Sequence, residues 1–165
     1  MFFALPLSAQ VYLTRDQALE LYFPGARAEK QTLFLNDDQI QAIQQTARSK
    51  VPSKIVTYFT CKMDGRVVGY AFFDAEVIRT QKAAYMIALD AEGKVRALEI
   101  LAFYEPEDYR PPKRWMQQFD RKTLQDDLWI KRGIPNISGA TLSAQVLTDA
   151  VRRTLAIYAI SIHKD

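Results

Sequence analysis

From Lys54 the chain alternates apolar and polar residues with a period of two, the spacing of a strand with one face buried. The run KIVTYFTCKM (54–63), the dipeptide Asp64-Gly65 and RVVGYAFFDAEVIRT (66–80) together predict a β-hairpin, because Asp-Gly readily takes the positive φ angles of a tight turn. A second hairpin follows in AAYMIALD (83–90), the turn Ala91-Glu92-Gly93 and KVRALEILAFYE (94–105). Four strands joined by short turns imply an antiparallel meander. Upstream, ARAEKQTLFL (26–35) predicts one further strand.

Elsewhere the period is helical. Thr14, with Gln17 three residues on, forms a capping-box signal that opens a short helix, and Pro24-Gly25 closes it. Asn36 caps a second helix reaching Ser49, with Ile40, Ile43 and Ala47 at helical spacing. The prolines of EDYRPP (107–112) start a helix over KRWMQQF (113–119), and another short helix is expected from Thr123 to Trp129. The last helix is expected from about Leu142 to Ile162. Its apolar stripe is Leu147, Ala150, Val151, Leu155 and Tyr158, with Asp149, Arg152 and Arg153 largely off it. That stripe needs a surface to pack on, and the meander offers one. The fold class is therefore α+β: an antiparallel β-meander packed against a long C-terminal helix, with N-terminal helices, in one domain over residues 11–165.

Composition narrows the chemistry. With 165 residues, 48% of them hydrophobic, the chain has the length and apolar content for one domain with its own core. The net charge of +3 comes from dispersed Lys and Arg, with no cluster longer than pairs such as Arg152-Arg153, which speaks against a nucleic-acid partner and leaves anionic small molecules. A single cysteine and a single histidine exclude an intramolecular disulfide, a Cys/His zinc site and a serine-histidine triad in the core. Cys61 lies in an alternating run and reads as a buried strand residue; His163 is three residues from the end and is expected to fray into solvent. Paired acids at Asp37-Asp38 and Asp126-Asp127 read as helix starts and solvated faces.

The opening stretch MFFALPLSAQ resembles the back half of a signal peptide, with Leu7-Ser8-Ala9 as a small-residue cleavage site but no basic front segment. Residues 1–10 are taken as a signal-peptide remnant, which points to an exported, periplasmic or extracytoplasmic protein. The alternative is an apolar N-terminal strand tucked against the core. No apolar run approaches the roughly 20 residues of a membrane-spanning helix.

The junction SGATLS (138–143), between RGIPN (132–136) and the last helix, carries the clearest functional signal. The first N–H groups of a helix have no intrahelical partners, and the macrodipole puts partial positive charge there. Gly139 lets the backbone turn closely, and Ser138, Ala140 and Thr141 add little bulk, so a phosphate can dock. The hydroxyls of Ser138, Thr141 and Ser143 can each serve an anion or simply cap the helix.

SGATLS with its following helix resembles the flavinylation motif of the FMN-binding domain family, which includes subunits of sodium-translocating NADH:quinone reductase and of Rnf-type complexes. In that family the motif threonine is esterified to the phosphate of FMN by a dedicated flavin transferase, and the matching residue here is Thr141. Ser138, Gly139, Ala140, Leu142 and Ser143 complete the implied phosphate seat. The segment AYMIALDAEGKVRALEILAFYEPEDYRPPKRWMQQF is similar to the family's second hairpin, its Glu-containing loop and the helix before the motif; GYAFFDAEVIRT resembles soluble members with an export signal. The similarity spans roughly residues 54 to 160. One position departs from it: the family has Asp three places before the Ser or Thr, and this chain has Pro135.

An isoalloxazine ring needs a flat apolar slot with a few polar partners. Trp115 and Tyr109, beside prolines and charges, are the wall candidates, whereas Phe119 and Tyr104 fit the core as well or better. Arg79-Thr80, at a strand end, can reach an anion through the guanidinium. Glu105 matches an acidic residue that lies near the flavin in family members, with a surface ion pair as the plain alternative. No catalytic acid, base or nucleophile stands out.

The leading reading is therefore an exported FMN-carrying electron-transfer domain that exchanges electrons with membrane or soluble redox proteins, more a carrier than an enzyme with its own turnover. The alternative is a flavin-free binding or scaffold module of the same fold, and Pro135 favours it. A flavin reductase would need a nicotinamide site, and no glycine-rich fingerprint of that kind is present.

Overall fold

A computed structural model describes residues 10–163; the signal-like stretch 1–9 lies outside the described residues. In chain order the elements are β1 (Gln10–Val11), α1 (Arg15–Tyr22), β2 (Arg27–Phe34), α2 (Asp37–Ala47), β3 (Ile55–Met63), β4 (Arg66–Val77), β5 (Lys82–Asp90), β6 (Val95–Phe103), α3 (Lys113–Met116) and α4 (Thr141–Ile157). The strands form one antiparallel sheet in the order β1-β6-β5-β4-β3-β2. The fold is α+β, a meander with α2 inserted between its first two strands and β1 added beside its last.

Local chemistry explains the boundaries. Both capping boxes form: Thr14 with Gln17 opens α1, and Asn36 with Gln39 opens α2. Asp64 and Gly65 both take positive φ, 50° and 76°, so the first hairpin turns as its dipeptide requires. Gly93 makes the second turn at φ 80°, and a Cβ there would sit 2.0 Å from Cε1 of Tyr158. Gly93→Ala combines backbone strain with a clash against a buried ring and is expected to cost about 2–4 kcal/mol. Urea unfolding checks this, and a loss below about 0.5 kcal/mol would contradict the packing described.

Successive strand residues face opposite sides of the sheet. Tyr85, Ile87 and Leu89 of β5 meet α2 and α4 in the larger core, while Met86 and Ala88 join Ala18 and Phe23 of the α1 segment in a smaller one. Cys61 belongs to that smaller core at 1% exposure, and burial pushes its thiol up to about 11, so it stays protonated. His163 is exposed, yet its ring stacks on Tyr158 instead of fraying away. No helix of the described residues is long and apolar enough to cross a membrane.

One expected helix is absent and two are present with mixed geometry. No helix forms over 123–129: Asp126 Oδ2 accepts from the Thr123 N–H at 2.7 Å and from its hydroxyl at 3.0 Å, which closes a turn instead. The helix over KRWMQQF is one α turn, α3, continued as a 3₁₀ turn over Gln117–Phe119. The last helix begins at Thr141, and from Tyr158 to Ile162 it continues with π geometry.

The largest correction concerns the far side of α4. Arg152 and Arg153 are only 3% and 6% exposed. Every residue from Ala150 to Tyr158 is buried, because α2 and the loops at 48–54 and 124–134 cover the side turned away from the sheet. The arginine heads are satisfied there. Arg152 donates to the carbonyls of Ala47 (2.9 Å) and Leu128 (2.8 Å), pairs with Asp149 and lies 3.7 Å over the Trp129 ring. Arg153 donates to Ser49 Oγ at 2.9 Å and pairs with Glu76.

Candidate functional site

The start of α4 has no side-chain cap. Its N-cap residue is Ala140, which cannot supply one, and neither neighbouring hydroxyl takes over. Thr141 Oγ1 accepts from Asn136 Nδ2 at 3.1 Å and leans on the Ile137 carbonyl at 3.5 Å. Ser143 is buried and donates to the carbonyl of Tyr109 at 2.5 Å, so its hydroxyl belongs to the scaffold and not to a ligand. The capping alternative for SGATLS therefore fails, and the first turn of a 17-residue helix is left without a side-chain cap, with the dipole behind it. Gly139 permits this approach: it takes φ 82°, and nothing stands within 4 Å of where its Cβ would be.

A pocket of about 260 Å³ sits at this end. Gly139 to Ser143 line one side, and Arg79 and Tyr109 the other. Three linked contacts hold Arg79 there. Glu105 Oε1 accepts from the backbone N–H groups of Arg79 (3.0 Å), Thr80 (2.6 Å) and Gln81 (2.8 Å), which fixes the β4–β5 turn. Arg79 then lies 4.5 Å over the Tyr109 ring. Tyr109 in turn accepts from Ser143 of α4. A guanidinium and an uncapped helix N-terminus thus share one small cavity, an arrangement suited to an anion such as phosphate.

Arg79, Tyr109, Gly139, Ala140, Thr141, Leu142 and Ser143 are brought together, whereas Thr80, Glu105, Trp115 and Ser138 are not. Glu105 Oε1 is taken up by three backbone N–H groups of the β4–β5 turn and not by a basic side chain. Thr80 lines a shallow depression with Val77 and Tyr104 instead. Trp115 is 4% exposed and packs edge-on against Phe119, with Nε1 donating to the Pro135 carbonyl at 2.7 Å. It and Ser138 border a neighbouring depression of about 470 Å³. Tyr104 is 39% exposed, so the core does not claim it.

Sequence reasoning missed Asn136, the residue that touches the Thr141 hydroxyl, and Asn136 carries no local signal beyond its place before the motif.

Glu105 makes the site sensitive to acid. The Thr80, Gln81 and Arg79 N–H groups hold its carboxyl below the ordinary glutamate value. A depressed folded value contributes stability that is complete above the unfolded pKa, roughly 4.3, and is lost as pH falls through the lower folded one. The melting temperature of the wild type should drop below about pH 4 with a component that Glu105→Gln removes. Thermal melts from pH 3 to 7 test it, and parallel curves for both proteins would refute the assignment.

Set against models of protein families and against curated proteins, the chain matches none.

Proposed function

We propose that the chain is an exported FMN-carrying electron-transfer domain whose flavin phosphate sits at the N-terminus of α4, held at or esterified to Thr141. The single observation that carries this is the shared cavity of Arg79 and the uncapped, glycine-opened start of α4. The resemblance of SGATLS to a flavinylation motif supplies the identity of the anion.

The residues present fit the group in part. A cavity of about 260 Å³ suits a phosphate and the start of a ribityl chain, being smaller than the roughly 300–1,000 Å³ usual for drug-sized ligands. The adjoining depression of about 470 Å³ beside Trp115 and Ser138 offers room for a flat ring. When bound, FMN supplies one- or two-electron transfer. The chain's own part is to neutralise phosphate charge with Arg79 and the α4 N–H groups and to present the Thr141 hydroxyl. The redox partners would be membrane or soluble proteins, and attachment would need a flavin transferase.

Fluorescence titration separates the phosphate from the ring. FMN should bind more tightly than riboflavin, and Arg79→Gln should erase roughly ten- to a hundredfold of that preference, as expected for one charge-assisted contact. Equal affinities for FMN and riboflavin in the wild type would contradict a phosphate seat.

The second reading is a flavin-free binding module, and two observations favour it. Position 135 holds a proline whose carbonyl anchors Trp115, where the resembled motif has an acid. Leu142 stands 51% exposed at the same mouth, as a contact for a protein partner would.

A further inference from the structure

Between β3 and β4 the sheet parts. Their pairing runs from Met63 opposite Arg66 to Tyr58 opposite Phe72 and then stops, although β3 begins at Ile55 and β4 continues to Val77. β3 stays with β2 as far as Phe34 opposite Ile55, and β4 stays with β5 as far as Val77 opposite Lys82, so the two halves diverge as a fork. Two N–H groups on the parted edges turn to nearby side chains. Ser53 Oγ accepts from Ile55 at 3.0 Å, and Asp74 Oδ1 accepts from Ala75 at 2.7 Å.

The fork opens a cleft of about 260 Å³ that reaches α4. Val56, Phe72 and Ile157 give it apolar walls; Asp74, Tyr85 and Arg153 give it polar ones. Arg153 is already neutralised, since its Nη2 pairs with Glu76, whose Oε1 also accepts from Tyr85 OH at 2.7 Å. Asp74 is held less closely. Its side chain is half exposed, its Oδ2 stands 3.9 Å from Arg153 Nη2, a long ion pair beyond hydrogen-bond reach, and no other basic side chain lines the cleft. Partial desolvation holds the half-exposed Asp74 carboxyl above its ordinary value, with the Ala75 N–H and Arg153 pulling the other way.

We propose that this cleft binds a small organic cation, a primary ammonium on a short aliphatic or aromatic arm, with the ammonium on Asp74 Oδ2 and the arm against Val56, Phe72 and Ile157. An anion is disfavoured because Glu76 already satisfies Arg153. A hard metal cation is disfavoured because one carboxylate cannot supply six or more oxygens. The cleft involves none of the residues at the start of α4: Arg153 lies twelve residues along the helix from Thr141, about 18 Å at 1.5 Å per residue.

The test is amide-shift mapping on the ¹⁵N-labelled full chain, titrated with 2-phenylethylamine and, separately, with 2-phenylethanol, which carries the same arm without charge. The amine should shift the amides of Val56, Asp74, Ala75, Tyr85 and Ile157 saturably, with a Kd of about 1 mM or tighter, and the alcohol should bind at least about tenfold more weakly. Asp74→Asn keeps an oxygen for the Ala75 N–H but removes the charge, so it should reduce the amine to the level of the alcohol. Should that variant lose its folded spectrum, the amine and alcohol contrast on the wild type decides. No saturable shift, shifts centred elsewhere, equal binding of the two probes or an unchanged amine affinity in a folded Asp74→Asn would each overturn the proposal.

Discussion

Arg152→Met is expected to lower the free energy of unfolding by about 3–5 kcal/mol. The substitution keeps the apolar stem and removes a head that serves three groups at once: the Ala47 carbonyl at the end of α2, the Leu128 carbonyl and the Asp149 carboxylate. Two carbonyls in a dry interior then lose their donor, at about 1–3 kcal/mol each, and the contact with the Trp129 ring goes too. Against a usual total of about 5–15 kcal/mol, the variant would sit near the edge of folding. Arg152→Lys should recover only part of the loss, because one ammonium cannot span the fork of contacts the guanidinium makes. Urea unfolding measures both. A loss under about 1 kcal/mol for the methionine variant would mean that the arginine acts as an ordinary surface residue.

That same arginine marks where the sequence stops being legible. The meander, the Thr14–Gln17 capping box, the Asn36 cap and the Asp-Gly turn follow from period and turn chemistry, which are local, and the structure has all of them. Arg152 and Arg153 are charged and lie off the apolar stripe, so a helical-wheel argument sends them to solvent. What buries them is α2 and two distant loops, which supply carbonyls and a hydroxyl, while Asp149 of α4 itself and Glu76 of β4 supply the carboxylates. Period carries no record of such long-range neighbours. The turn at 123–126 misled for the opposite reason: one side chain, Asp126, offered its own backbone a better partner than a helix would.

The site divides in the same way. Gly139 and the small residues around it were visible because a positive φ and a close backbone approach demand them. Arg79 and Tyr109 were nominated separately, and only folding shows that they meet across the start of α4. Glu105 was nominated for a ligand and serves the β4–β5 turn, since a carboxylate at a strand end looks the same in sequence whether it faces a cofactor or three backbone N–H groups. Trp115 was nominated as a wall of the ring slot, yet the Pro135 carbonyl and Phe119 hold it in the core.

Thr141→Ala carries the largest functional effect expected. If the hydroxyl is the acceptor of a phosphoester bond, its removal abolishes attachment altogether, while Thr141→Ser, which keeps a hydroxyl at the same place, retains it. The fold should tolerate both changes, because Thr141 is exposed and its two hydrogen bonds, to Asn136 and Ile137, are made at the surface. Melting temperatures of the three proteins should therefore agree within about 2–4 °C, a difference of 1 kcal/mol or less in a domain of this size.

The most direct test of the account is the intact mass of the protein produced in exported form together with a flavin transferase. The account predicts a gain of one FMN less one water in the wild type and in Thr141→Ser, and none in Thr141→Ala. A colourless wild type with unmodified mass, and with no response to FMN in a fluorescence titration, would contradict it.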